Sequence, residues 1–182
     1  MNQYIAILRG INVGGNRKIK MADLKELFTG LGFTEISTYI QSGNVLFSSA
    51  KAEDTMALGD QLEQAIADTF GFDVPVIVRT VEELQQAVAV NPFYASPDAD
   101  IERLHLTFLK TEPEADKLDA INQINHSPDK FNIIGNHAFV YCSGRYSESK
   151  LTNAFFEKKL KVPATTRNWK TVLKLVDLSM GK

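Results

Sequence analysis

The chain has one cysteine, Cys142, among 182 residues, so no disulfide can form within it. A lone thiol fits a reducing compartment. Cys142 falls inside the apolar run HAFVYC, which favours a buried, inert thiol over a nucleophile. Histidine is scarce as well. His105, His126 and His137 are isolated, no H-x-x-x-H or C-x-x-C spacing occurs, and no metal is expected. No apolar run approaches the roughly 18–20 residues that span a bilayer, which argues against a membrane partner. Met1–Arg9 is strand-like and too short for a signal peptide, so a cytoplasmic protein is expected. What remains is an ordinary globular composition, 44% hydrophobic and 23% charged.

Nucleotide-loop motifs are also missing. Leu8–Met21 reads LRGINVGGNRKIKM, and Gly10 and Gly15 have the glycine spacing of G-x-x-x-x-G-K-[ST]. The next residues are Asn16 and Arg17, so the lysine for the phosphates and the hydroxyl for magnesium are absent. G-x-G-x-x-G does not occur in this loop either, and the cofactor is left unknown. Ser147–Lys150 satisfies S-x-x-K, but the S-D-N and K-T-G partners of that acyl-transfer motif are lacking. Paired catalytic carboxylates cannot be picked out, and whether the protein is an enzyme stays open.

Charge is unevenly spread although the net is −2. Residues 1–25 hold five cations and one acid, and residues 141–182 hold nine and three. Residues 51–120 hold five cations and fifteen acids. Two basic ends flank an acidic middle, and a face built from those ends would attract anions.

The apolar pattern repeats itself. Strand Tyr4–Arg9, helix Lys20–Leu31, strands Ile36–Gln41 and Asn44–Phe47, helix Asp54–Phe70 and strand Val74–Arg79 follow in order. That order is the split βαβ pattern of a ferredoxin-like unit. Strand Leu104–Leu109, helix Pro113–Asn125, hairpin Phe131–Ile134 with His137–Tyr141, and helix Ser149–Leu160 repeat it. Gly43-Asn44 is matched to Gly135-Asn136, and Val74-Pro75 with Arg79 to Val162-Pro163 with Arg167. The expectation is an α+β fold made by internal duplication of two ferredoxin-like subdomains. Each would have an antiparallel sheet with helices packed on one face. The subdomains are set at 1–80 and 104–182, with 81–103 as a connecting helix and loop.

Topology places the polar residues. The first and third strands of such a sheet are neighbours, so Arg9–Asn12 should meet Gln41–Asn44, with Lys20 at the start of the first helix. Gly14 and Gly15 permit close approach of backbone to a ligand. Arg9, Asn12, Asn16, Lys20, Ser42 and Asn44 are thus candidate anion contacts, although Asn and Ser there also suit turns and caps. In the second half, Ser149 is read as an N-cap with Lys150 in the first helical turn. Both should lie near Thr166, Arg167, Asn168 and Trp169, a set suited to phosphate or base recognition. Trp169, Val172, Leu173 and Val176 also fall at helical spacing, which points to packing.

RGINVGGNRKIKMADL, TYIQSGNVLF, SESKLTNAFFEKKL and PATTRNWKTVLKL resemble, in this order, signatures of the bacterial family called domain of unknown function 1697. The resemblance implies two ferredoxin-like subdomains and no particular activity. It carries over the polar positions Arg9, Asn12, Gly14, Gly15, Asn16, Lys20, Ser42, Gly43, Asn44, Ser149, Lys150, Thr166, Arg167, Asn168 and Trp169. The favoured expectation is a partner that is a phosphate-containing, nucleotide-like small molecule. Its rivals are single-stranded nucleic acid stacked on Tyr4, Phe47, Phe108, Phe139 and Tyr141, and a regulatory or scaffolding role without chemistry.

Overall fold

A computed structural model describes residues 1–182. The first sheet comes from β1 (Asn2–Leu8), α1 (Met21–Gly30), β2 (Thr34–Tyr39), β3 (Asn44–Ser49), α2 (Thr55–Phe70) and β4 (Val76–Thr80). After α3 (Val81–Val90) the same order recurs: β5 (Leu104–Leu109), α4 (Ala115–Asn122), β6 (Lys130–Ile134), β7 (His137–Tyr141), α5 (Asn153–Leu160) and β8 (Ala164–Asn168). Helix α6 (Trp169–Ser179) follows. The strand orders are β2-β3-β1-β4 and β6-β7-β5-β8, with antiparallel pairing throughout. Both are the ferredoxin-like arrangement, and the fold is α+β.

Two compact units result, Met1–Leu84 with Leu175–Lys182, and Gln85–Lys174. In the first, Tyr4, Ala6 and Leu8 of β1 and Val45 and Phe47 of β3 pack under α1 and α2. Leu24 and Phe28 of α1 and Leu58, Leu62 and Ile66 of α2 close that core. Helix α2 begins where the Asp54 carboxylate accepts the Ala57 amide at 2.8 Å, and ends at Gly71 in the left-handed region. In the second unit, Leu109, Ala138, Val140 and Ala164 meet Ile121 of α4 and Phe156 and Leu160 of α5.

Register makes the duplication explicit. Ile5 lies between Leu46 and Arg79, and Leu106 lies between Phe139 and Arg167. The Arg9 amide donates to the Pro75 carbonyl at 3.0 Å, and the Lys110 amide to Pro163 at 2.9 Å. The Val-Pro…Arg match read from sequence is therefore structural. The Gly-Asn match is off by one residue. Leu8 donates to Gly43 and Leu109 to Asn136, so Gly43 corresponds to Asn136 and Asn44 to His137. The cause is turn length: Ile134 pairs with His137 across two residues, whereas Tyr39 pairs with Asn44 across four.

The helix expected over Ser149–Leu160 starts later, at Asn153. Its N-cap is Thr152, whose hydroxyl accepts the Phe155 amide at 3.3 Å. Ser149 instead ends a short 3-10 turn, and Lys150 precedes the helix rather than occupying its first turn. The Ser149 hydroxyl is drawn away from a capping role by the Asp129 carboxylate, to which it donates at 2.6 Å.

Candidate functional site

The loop after β1 is a turn. Val13 and Asn16 form a bridge around Gly14-Gly15, with φ of 58° and 79°, and the Asn16 amide donates to Val13 at 3.1 Å. Two successive positive φ values define the mirror-image hairpin turn that glycines permit. Asn12 locks its base. Its side-chain oxygen accepts the Ile19 amide at 2.9 Å, and its side-chain nitrogen donates to the carbonyls of Ile19 at 2.9 Å and Gln41 at 2.8 Å. The expected neighbourhood of Arg9–Asn12 and Gln41–Asn44 is thus formed. Gly43 has φ of 89°, and a Cβ there would lie 2.8 Å from both Leu8 Cβ and Ile11 Cδ1. Buried Asn44 donates to the Tyr39 carbonyl at 3.0 Å and to the Ser42 hydroxyl at 3.3 Å. Asn12, Gly43 and Asn44 therefore build the turn and the adjoining strand.

Beside this scaffold opens a cleft of about 570 Å³, lined by Asn12, Gly15, Lys18, Ile19, Lys20, Met21, Asp23, Gln41 and Phe70. Lys20 is the N-cap residue of α1, and no side chain caps that helix. Its first amides are left for solvent or a ligand, at the end of the helix that favours negative charge. Neither Lys18 nor Lys20 has an ion-pair partner, and Asp23 is the one acid on the wall. Lys18, Asp23 and Phe70 were not singled out from sequence, whereas Gln41 was placed beside Asn12 by the expected topology. Lys18 stands two residues from Lys20 and was within reach of a charge count, whereas Phe70 arrives only through the packing of α2. Exposed Gly14 sits at the turn tip and exposed Asn16 closes the turn against Val13, and the Arg9 side chain is half-buried and outside this cleft.

The second expected cluster is divided. Ser149 and Lys150 line a separate cleft of about 340 Å³ with Asn125–Asp129, Ser143, Gly144, Arg145 and Glu148. Thr166 lies in neither cleft. Its hydroxyl is hydrogen-bonded to Thr107 Oγ1 at 2.7 Å and to Asn153 Oδ1 at 2.6 Å, tying the start of α5 to the sheet. Asn168 Oδ1 accepts the Thr171 amide at 2.9 Å and caps α6. Trp169 is 0% exposed, packed edge-on against Tyr94 and Phe139. Arg167 is 9% exposed and donates to the Thr166 carbonyl at 3.1 Å, and burial pulls its pKa down to about 10. Its counterpart Arg79, 2% exposed, is lowered to about 10 by burial, partly opposed by Glu83.

The nucleic-acid reading needed stacking platforms on the strands. Tyr4, Phe47, Phe108 and Phe139 are all buried, and Tyr4 and Phe47 stack on one another at 5.6 Å inside the first core. Those four aromatics are spent on packing and offer no face to a base, whereas Tyr141 is half-buried with Lys130 Nζ 5.9 Å from its ring centroid. Cys142 is fully buried, and burial raises its pKa. No helix is long and apolar enough to cross a membrane.

Fold and clefts define the class: a duplicated ferredoxin-like α+β protein in which each unit carries its own polar cleft. The chain belongs to the family described as protein of unknown function (DUF1697), whose model matches residues 1–139. The blocks around Ser149 and Arg167 lie beyond the matched residues. Among solved structures, the chain is similar to the conserved bacterial protein SP0830 from Streptococcus pneumoniae. That likeness has 25% identity, a TM-score of 0.77 and 97% coverage of each chain. No curated protein matches.

Proposed function

We propose that the protein binds an anionic, phosphate-bearing small molecule in the cleft beside residues 12–23. The observation that supports this most is the pair of lysines without acidic partners, Lys18 and Lys20, beside the uncapped start of α1. Lys18 and Lys20 supply charge, and the first amides of α1 supply directed donors. Phe70 and Met21 add an apolar wall suited to a nucleotide-like ligand with a ring as well as a phosphate. Of the polar positions expected from sequence, Asn12, Gly15 and Lys20 stay in this site. Asn12 holds the wall in shape through its three hydrogen bonds. The role is binding, in the cytoplasm, with no catalytic residue assigned.

Thermal shift with inorganic phosphate, nucleoside monophosphates and sugar phosphates tests it. At least one of these should raise the melting temperature, and Lys18→Ala with Lys20→Ala should abolish that rise. Stabilisation by none of them, or stabilisation that survives the double substitution, overturns the reading.

A further inference from the structure

The cleft of the second unit is not the repeat counterpart of the first. Its walls come from the α4–β6 and β7–α5 connections, which correspond to α1–β2 and β3–α2 in the first unit. The first cleft instead adjoins the segment between β1 and α1. Asp129 pins the two walls together. Its Oδ1 accepts the amide and hydroxyl of Ser143, each at 2.9 Å, and its Oδ2 accepts the Ser149 hydroxyl at 2.6 Å. Burial pushes the Asp129 carboxyl up, but these hydrogen bonds outweigh it and hold the pKa below the ordinary value. Asp129 is therefore charged at neutral pH, and Oδ2 retains a lone pair. His126 is held edge-on against Phe155 at 4.7 Å, and its buried Nε2 has no partner within the protein.

The balance of charge separates this cleft from the first. Arg145, Glu148 and Lys150 line the wall from the β7–α5 connection and Asp129 the wall from the α4–β6 connection, and Arg145, Lys150 and Glu148 take part in no ion pair. A plain anion would meet two carboxylates here, and a plain cation would meet two basic groups. A ligand carrying both signs matches all four. The volume, about 340 Å³, is at the small end of ligand clefts. We propose that this cleft binds a zwitterionic small molecule of the α-amino-acid class. Arg145 and Lys150 hold its carboxylate, and Glu148 with the open lone pair of Asp129 holds its ammonium. This site is independent of the anion site in the first unit.

The test is calorimetric titration of the whole protein with the standard free α-amino acids, then with the N-acetyl and methyl-ester forms of the tightest binder. Arg145→Gln and Glu148→Gln are the variants, since both side chains are exposed and leave the Asp129 hub intact. At least one free amino acid should bind, and each blocked form should bind about tenfold more weakly or worse, the loss of one charge-assisted contact. Glu148→Gln should weaken the free amino acid by a similar factor and leave its N-acetyl form unchanged. Absence of binding by every amino acid up to about 10 mM overturns the proposal. So does an N-acetyl form that binds as tightly as the free one, or binding unchanged in both variants.

Discussion

Asn12 and Ile19 are joined by a two-way clasp: the Asn12 side-chain oxygen accepts the Ile19 amide, and its side-chain nitrogen donates to the Ile19 carbonyl, both at 2.9 Å. The same nitrogen reaches the Gln41 carbonyl at 2.8 Å, so one side chain fastens the turn after β1 to the turn before β3. Asn12→Ala leaves a partly buried amide and carbonyl without partners, and should cost about 2–3 kcal/mol. Asn12→Asp loses the donor as well and should be no milder. Urea unfolding midpoints check both.

Two kinds of glycine in this region should respond differently. Gly43→Ala meets Leu8 and Ile11 at 2.8 Å and must also adopt a positive φ, so it should destabilise by about 3 kcal/mol or more. Gly14→Ala meets nothing within 4 Å and carries only the backbone cost, about 1–2 kcal/mol. Equal losses for the two substitutions in denaturant titrations would show that the close approach at Gly43 is not real.

Asp129 makes stability depend on acid. Its folded pKa is depressed, so its contribution is complete above the unfolded carboxyl value, about pH 4, and disappears as pH falls through the folded value. Asp129→Asn leaves one oxygen to accept from three donors. It should lower stability at neutral pH, and its deficit against the parent should narrow toward about pH 3. Unfolding midpoints of both proteins across that range give the answer, and a deficit that does not change with pH would contradict it.

The one tryptophan is a ready reporter. Trp169 is 0% exposed between Tyr94 and Phe139, so native emission should lie at short wavelength with weak acrylamide quenching. Both properties should jump on unfolding. Anion binding in the first cleft should leave them unchanged, whereas quenching typical of a surface indole would contradict this placement.

Most of the fold was legible because its periodicities are strong. The apolar spacing in Leu24, Leu27, Phe28 and Leu31 marks α1, and Asp54 with Gly71 brackets α2. The errors have local causes. A Gly-Asn pair suits turns of two lengths, which shifted the repeat match by one residue. Ser149 has the chemistry of an N-cap, but only the folded chain brings Asp129, twenty residues earlier, to claim its hydroxyl. The turn-before-strand neighbourhood of Asn12 and Gln41 followed from topology alone. The cleft walls did not: Phe70 comes from the far end of α2, and the facing of Asn125–Asp129 with Arg145–Lys150 depends on the lengths of two irregular loops.

The most direct measurement is an amide chemical-shift titration of the whole protein with a nucleoside monophosphate. Saturable shifts concentrated at Lys18–Leu24 and Gln41, and lost in the Lys18→Ala, Lys20→Ala protein, are the predicted result. Shifts confined to other residues, or none at concentrations well above physiological levels, would contradict the anion site at the start of α1.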